Sequence, residues 1–151
     1  MGSAGLSAAY LLDVNVLIAG AWPPHGHHVK TQEWLTRHAH RGWATCPLTQ
    51  LGFVRVLSLP HFAQHPIVPG DALALLNNNL GFDGHEFWAD DLTFAEALAY
   101  FAPQVSGAQQ TTDAYLLGLA MHRKGKLVTF DRGILALAGD HAGAREALVL
   151  I

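Results

Sequence analysis

The chain has 151 residues, half of them hydrophobic and 14% charged, with a formal net charge of −3. That length suits one domain around one core. A pI near 6.3 argues against a protein that grips nucleic acid by overall positive charge. The single cysteine, Cys46, excludes an intramolecular disulfide and fits a reducing compartment.

Residues 4–22 are almost all apolar, the pattern of a membrane segment or a signal peptide. Asp13 and Asn15 stand at the centre of that run, where a charge in lipid is costly, and no basic stretch precedes it. The run therefore predicts a buried strand over 9–13 and a helix from Val14 that ends before Pro23-Pro24, in a soluble, cytoplasmic protein without a membrane partner. Met1-Gly2-Ser3 reads as a cloning remnant or a native start.

His25 to Arg41 predicts a second helical stretch, with Val29, Trp34 and Leu35 among its apolar positions. Trp43 to Cys46 is a short strand stopped by Pro47, and Leu48 to Leu59 a helix packed on most sides and closed by Pro60. Pro66 to Gly70 reads as a loop, Asp71 to Leu80 as a helix, and His85 to Ala89 as a strand. A short helix over Thr93–Phe101 takes Thr93 as its N-cap. After a loop over Pro103–Gly107, the clearest helix covers Ala108–Lys124, with Gly125 placed as its C-cap. Leu127–Phe130 is a strand, Ile134–Ala138 a helix and Leu148–Ile151 a last strand. Strands alternating with helices predict an α/β fold, a parallel sheet covered on both faces, and one domain over 1–151.

Three aspartates interrupt or border the strongest apolar stretches. Asp13 and Asp131 each stand where a buried strand hands over to a helix, and Asp113 lies in the clearest helix, just before Ala114-Tyr115-Leu116-Leu117. In a parallel sheet that handover is the carboxyl edge, where ligands bind. Each aspartate alone has a structural explanation, as an N-cap for Asp13 and Asp131 and as a first-turn carboxylate for Asp113. Together they need more, because a carboxylate near a buried edge is costly unless something pairs with it. No basic residue lies within several positions of Asp13. Carboxylates from distant segments brought to one edge form a hard oxygen site for Mg²⁺ or Mn²⁺, which can activate water against a phosphodiester.

The residues around these aspartates resemble a known family. Leu11-Leu12-Asp13-Val14-Asn15-Val16-Leu17-Ile18-Ala19 resembles the opening motif of PIN-domain nucleases of the VapC toxin branch. Thr45 to Leu57 is similar to the second motif, Thr112 to Ala120 to the third, and Thr129-Phe130-Asp131-Arg132-Gly133 to the last. All four come in family order across nearly the whole chain. The resemblance implies a PIN-like three-layer α/β fold and a Mg²⁺- or Mn²⁺-dependent endoribonuclease. The products it implies carry a 5′-phosphate and a 3′-hydroxyl. It also implies a homodimer held in check by a cognate VapB-like antitoxin. Carried over by position, Asp13, Asp113 and Asp131 would hold the metal, with Asn15 and Thr129 supporting them by hydrogen bonds.

One position departs from the pattern. The second motif normally offers a glutamate where this chain has Gln50. The amide oxygen can still ligate a metal or hold water, but one negative charge is lost, and the site is expected to bind metal more weakly. Three explanations fit: a natural change that leaves a one-metal or slower enzyme, a change introduced to disable a toxic nuclease, or a degenerate member that binds antitoxin or RNA without cutting. A third class, another metal-dependent phosphohydrolase, usually opens on DxD, whereas position 15 is Asn.

Arg132, Arg55 and Lys126 are the candidates for touching RNA, Arg132 foremost because it adjoins Asp131. Arg123 and Lys124 read instead as a C-terminal cluster complementing a helix dipole. His25, His27 and His28 crowd together after Pro23-Pro24. No cysteine stands near to complete a tetrahedral zinc set, so they read as solvated or substrate-edge histidines. Cys46 reads as a small buried hydrophobe. Asp90-Asp91 with Glu86 is an acidic patch at a loop and helix start. Phe53, Val54, Leu57, Phe62 and Trp88 exceed the needs of a modest core, which leaves some apolar surface for a dimer or an antitoxin segment.

Overall fold

Tyr10, Leu11 and Leu12 are all buried, so the first strand has no solvent face. Side chains alternate across a strand. Leu11 accordingly joins one core cluster, while Tyr10 and Leu12 join another on the opposite face. A strand buried on both sides belongs at the centre of a covered parallel sheet, and that is where it lies. This is a computed structural model that describes residues 8–65, 67–101 and 105–151. The expectations for residues 1–7, Pro66 and Pro103–Gln104 lie outside the described residues.

In chain order the elements are β1 (Tyr10–Leu12), α1 (Val14–Ala21), α2 (His28–His38), β2 (Trp43–Thr45), α3 (Pro47–Leu57) and α4 (Pro69–Leu80). There follow β3 (His85–Phe87), α5 (Phe94–Leu98), α6 (Thr111–His122), β4 (Lys126–Thr129), α7 (Ile134–Ala138), α8 (Ala142–Glu146) and β5 (Leu148–Leu150). Single 3₁₀ turns precede β2 (Ala39–Arg41) and α6 (Ala108–Gln110). The five strands are parallel throughout and lie in the order β3-β2-β1-β4-β5. Two helical layers sandwich the sheet. Val16, Phe53 and Leu76 of α1, α3 and α4 pack with Leu12 and Val128 on one face. Ala97, Leu116, Leu137 and Ala144 of α5 to α8 pack with Leu11 and Leu127 on the other. Each fully buried Leu or Ile adds about 1.5–3 kcal/mol over leaving it exposed.

This strand order fixes where a ligand would go. The chain builds outward from β1 to β2 and β3, then returns to the other side of β1 to lay down β4. The order reverses between β1 and β4, and the crevice at their carboxyl ends is the switch point of the fold. Leu12 pairs with Val128, and the Asp13 N–H donates to the Val128 carbonyl at 2.9 Å. That register sets Asp13 beside Thr129.

Several boundaries differ from the sequence expectation, each for a physical reason. The second helix starts at His28 rather than His25, because residues 22–27 turn and the His27 N–H donates to His25 Nδ1 at 3.0 Å. Pro47 is the first residue of α3, where its missing N–H costs nothing. Pro69 opens α4 in the same way, two residues before the expected start. Thr93 caps α5 as expected, its Oγ1 accepting from the Glu96 N–H at 3.1 Å. At the end of α6 it is Lys124, with φ 58°, that adopts the left-handed conformation, and not Gly125. The Lys124 and Gly125 N–H groups reach back to the Met121 and Ala120 carbonyls, a Schellman closure. Gly125 is there for space: a Cβ would stand 2.9 Å from Trp88 and 3.0 Å from the Ala9 carbonyl. The short helix α8 was not expected.

Among the described residues, no helix is long and apolar enough to cross a membrane. Cys46, Phe53, Leu57 and Trp88 are fully buried. Val29, Leu51, Phe82, Phe87 and Phe94 are exposed apolar side chains.

Candidate active site

The site is assembled from three chain segments that meet at the carboxyl ends of β1 and β4. Asp13 follows β1 directly and is buried. It caps α1, its Oδ1 accepting from the Val14 N–H at 2.8 Å. Its Oδ2 accepts from the Thr129 hydroxyl at 2.7 Å. Thr129, the last residue of β4 and itself buried, has its Oγ1 placed to accept from the Asp131 N–H at 3.1 Å. Asp131 Oδ1 then accepts from the Gly133 N–H at 2.8 Å. One threonine therefore fixes the Asp13 carboxylate and the turn that carries Asp131. Asp113 comes from the opposite helical layer, in the first turn of α6.

These carboxylates repel one another. Burial pushes the Asp13 carboxyl up, and the Asp131 charge adds to that, against the opposing bonds from Thr129 and Val14. Asp113 is pushed up to about 6, first by burial, then by the charges of Asp13 and Asp131 and a hydrogen bond with Asp131. Among the described residues none of the three forms an ion pair with a Lys, Arg or His. Nor does any group of three His, Cys, Asp or Glu side chains stand there as a ready-made cage for an ion. The donors are hard oxygens from separate elements, in mutual repulsion, and among the described residues no ion pair offsets them. That donor set fits a hard divalent cation.

The remaining predicted residues fall at different distances from this crevice. Asn15 is exposed on the first turn of α1. Gln50 is half-buried in the first turn of α3, and its Nε2 donates to the Thr45 hydroxyl at 3.0 Å. Thr45 Oγ1 in turn lies 2.7 Å from His85 Nε2. The amide thus belongs to a Gln50–Thr45–His85 chain at the end of β2 and makes no hydrogen bond to the three aspartates. Sequence reasoning did not find this chain. Its signal was Thr45, a hydroxyl at the carboxyl end of a buried strand, five residues before Gln50. Arg132 is exposed beside Asp131, and Arg55 is exposed in the last turn of α3. Lys126 starts β4 at the opposite, amino edge of the sheet, where its ammonium donates to the Glu146 carbonyl at 2.6 Å. It stands apart from the carboxylates. Arg123 pairs with Asp91 at 3.3 Å and also donates to the Ala89 carbonyl.

Residues 10–140 match the PIN domain family. The chain is 46% identical over 128 residues to Ribonuclease VapC38 of Mycobacterium tuberculosis, covering 85% of this chain and 89% of that protein. It is 41% identical over 138 residues to Ribonuclease VapC39 of the same species, covering 91% and 98%. A solved structure of VapBC2 from Rickettsia felis, bound to a DNA fragment from its promoter, shares the fold. Its TM-score is 0.56 at 14% identity, over 95% of this chain and 97% of that one. The switch-point aspartates therefore sit in a parallel α/β sandwich whose sequence relatives are VapC proteins along nearly their full length, and the chain belongs to the PIN-domain family, in its VapC branch.

Proposed function

We propose that this chain is the ribonuclease toxin of a VapBC-type toxin–antitoxin pair, and that it hydrolyses RNA phosphodiesters with Mg²⁺ or Mn²⁺. The observation that carries the reading is the uncompensated carboxylate set of Asp13, Asp113 and Asp131 at the β1/β4 switch point. The names of the curated relatives support the ribonuclease part. A divalent cation there would supply positive charge for the phosphate and acidify the attacking water.

The chain's own residues do the positioning. Asp13, held from both oxygens by Val14 and Thr129, presents a fixed carboxylate at the floor of the crevice. Asp113 and Asp131 close its sides from α6 and from the turn after β4. A cation held between these two would offset the repulsion that, after burial, raises Asp113. Arg132 is exposed beside Asp131 and would meet a phosphate oxygen on the substrate. Gln50 holds the end of β2 through Thr45 and contributes no charge, so a second cation would be held weakly. A VapB-like antitoxin and a second copy of the chain are the partners this reading implies, and exposed Val29, Leu51, Phe82, Phe87 and Phe94 supply apolar surface for them.

Mn²⁺-dependent cleavage of a structured RNA is the test. The parent chain should cut, leaving 5′-phosphates. Asp13→Asn should lose about a hundredfold or more of that rate with its fold retained. Gln50→Glu should cut faster than the parent. A folded Asp13→Asn variant that cuts as the parent does would refute the assignment. A parent that binds RNA but never cuts, with Gln50→Glu active, would identify Gln50 as the disabling change and favour the binding-module reading.

A further inference from the structure

Beside the carboxylates lies a patch of rings that the hydrolysis itself does not use. Phe130 stands between Thr129, which is bonded to Asp13, and Asp131. It is half-buried and packs into the core on the α1–α4 face of the sheet. Two imidazoles from the turn between α1 and α2 close over it. The His27 ring centroid is 4.8 Å from that of Phe130, and His25 lies 6.4 Å away with its ring nearly parallel, at 18°. Lys30 Nζ is 5.4 Å from the same ring centroid. His27 and Lys30 are exposed, and the intervening Gly26 has open space around it. His25 also forms one wall of an open cleft of ≈ 540 Å³ with Trp22, Pro24, Phe62 and His65. Phe130, between Thr129 and Asp131 in the chain, thus joins the end of β4 to the histidine turn and its cleft.

The His25 ring holds the turn through its Nδ1, but the exposed His27 ring makes no hydrogen bond among the described residues and caps no helix. His27 opens α2 with its backbone alone: its N–H donates to His25 Nδ1 and its carbonyl accepts from the Thr31 N–H at 2.9 Å. His28 is different: its Nδ1 is tied to the Ala19 carbonyl at 2.7 Å. An acidic chain with three carboxylates in its crevice gains little from the phosphate backbone. Affinity for a single-stranded nucleic acid must then come from contacts that do not depend on net charge, and stacking of bases on rings is such a contact. We propose that His25, His27 and Phe130, with Lys30 beside them, form a stacking platform for one unpaired RNA base next to the phosphodiester presented to Asp13, Asp113 and Asp131. This rests on the nuclease reading above. The platform residues are positioning residues: they select a nucleotide that can unstack and hold the neighbouring phosphate in register.

The test uses the full chain, a labelled single-stranded RNA hexamer, and the same hexamer with one abasic ribose at each position in turn. Binding is read by anisotropy in Ca²⁺ and cleavage separately in Mn²⁺. Removing the base at one position should weaken binding roughly tenfold. His27→Ala should lose the same factor on the intact hexamer and nothing further on that abasic one, whereas His27→Phe should restore it. Equal binding by parent and His27→Ala overturns the platform, as does an equal loss on intact and abasic RNA, or a parent that does not bind the hexamer. The stacking pattern without any Mn²⁺-dependent cleavage would keep the platform and sink the nuclease reading. Cleavage with His27→Ala binding unchanged would do the reverse.

Discussion

Thr129 is the residue on which the local geometry turns. Its hydroxyl serves Asp13 at 2.7 Å and the Asp131 N–H at 3.1 Å, and it is buried. Thr129→Val keeps the shape of the side chain and removes both bonds. It leaves a buried carboxylate oxygen and a backbone N–H unsatisfied, at a cost of roughly 1–3 kcal/mol in denaturant unfolding. Mn²⁺ affinity should fall about tenfold or more, because the group that aims the carboxylate is gone. Unchanged affinity would show that Asp13 does not hold the ion. Asp113 makes the complementary case. Its carboxyl is raised from 3.8 to about 6, so between those values the folded chain holds a proton that the unfolded chain releases. Without a divalent cation, stability therefore falls as pH rises through that window, and the deficit persists at pH 7. Asp113→Asn removes it. The group is half open to solvent and its repulsion is screened, so the gain at pH 7 in EDTA should be modest, about 2–4 °C in Tm. It should vanish below about pH 3, under both the ordinary and the raised value. A Tm gain independent of pH would contradict the electrostatic origin.

At the scale of elements, the site depends on α6 meeting the sheet at the right height, since α6 carries Asp113. Gly118 sets that height. A Cβ there would come within 2.7 Å of Ala97 Cβ and 2.9 Å of the Ala97 carbonyl, so α5 and α6 touch backbone to backbone. Gly118→Ala should cost roughly 1–3 kcal/mol despite the better helix propensity of alanine. Thermal unfolding checks this, and a stabilised variant would mean that α5 yields. The same elements show what was legible from sequence. The central strands β1, β2 and β4 could be read as buried runs, the partly buried edge strands β3 and β5 as short segments between turns, and the helices as periodic faces bounded by Pro, Gly or a cap: Thr93 for α5, Pro47 for α3. Asp13 and Asp131 were legible because a charge ending an apolar run is costly, and Asp113 because it stands beside one. What could not be read depended on contacts far apart in sequence. Gly125 looked like a left-handed cap, yet its role is set by Trp88 and Ala9. The early start of the second helix failed because residues 22–27 turn to meet Phe130, a hundred positions on. Helix α8 hides its signal in Ala142-Gly143, where glycine weakens the helical pattern. Gln50 was noticed as an anomaly, but its bond to Thr45 and that residue's contact with His85 required the pairing of β2 with β3.

For the whole molecule, the strand order brings residues 13, 113 and 131 to one crevice although the chain reaches them in three separate passes. Two helical layers bury the central strands and leave the carboxyl edge open, so the repelling carboxylates stay within reach of solvent while Thr129 and the Val14 and Gly133 N–H groups hold Asp13 and Asp131 in place. The net charge of −3 then becomes intelligible: the chain does not attract RNA by its total charge but would do so through a cation and local contacts. The claim that carries the account is that this crevice holds a divalent cation used in cleavage. Calorimetric titration of Mn²⁺ into the parent chain and into Asp113→Asn, with cleavage of a structured RNA assayed on the same samples, tests it most directly. The parent should bind Mn²⁺ and cleave, and a folded Asp113→Asn variant should do neither. Equal Mn²⁺ binding and cleavage by the two proteins would contradict it.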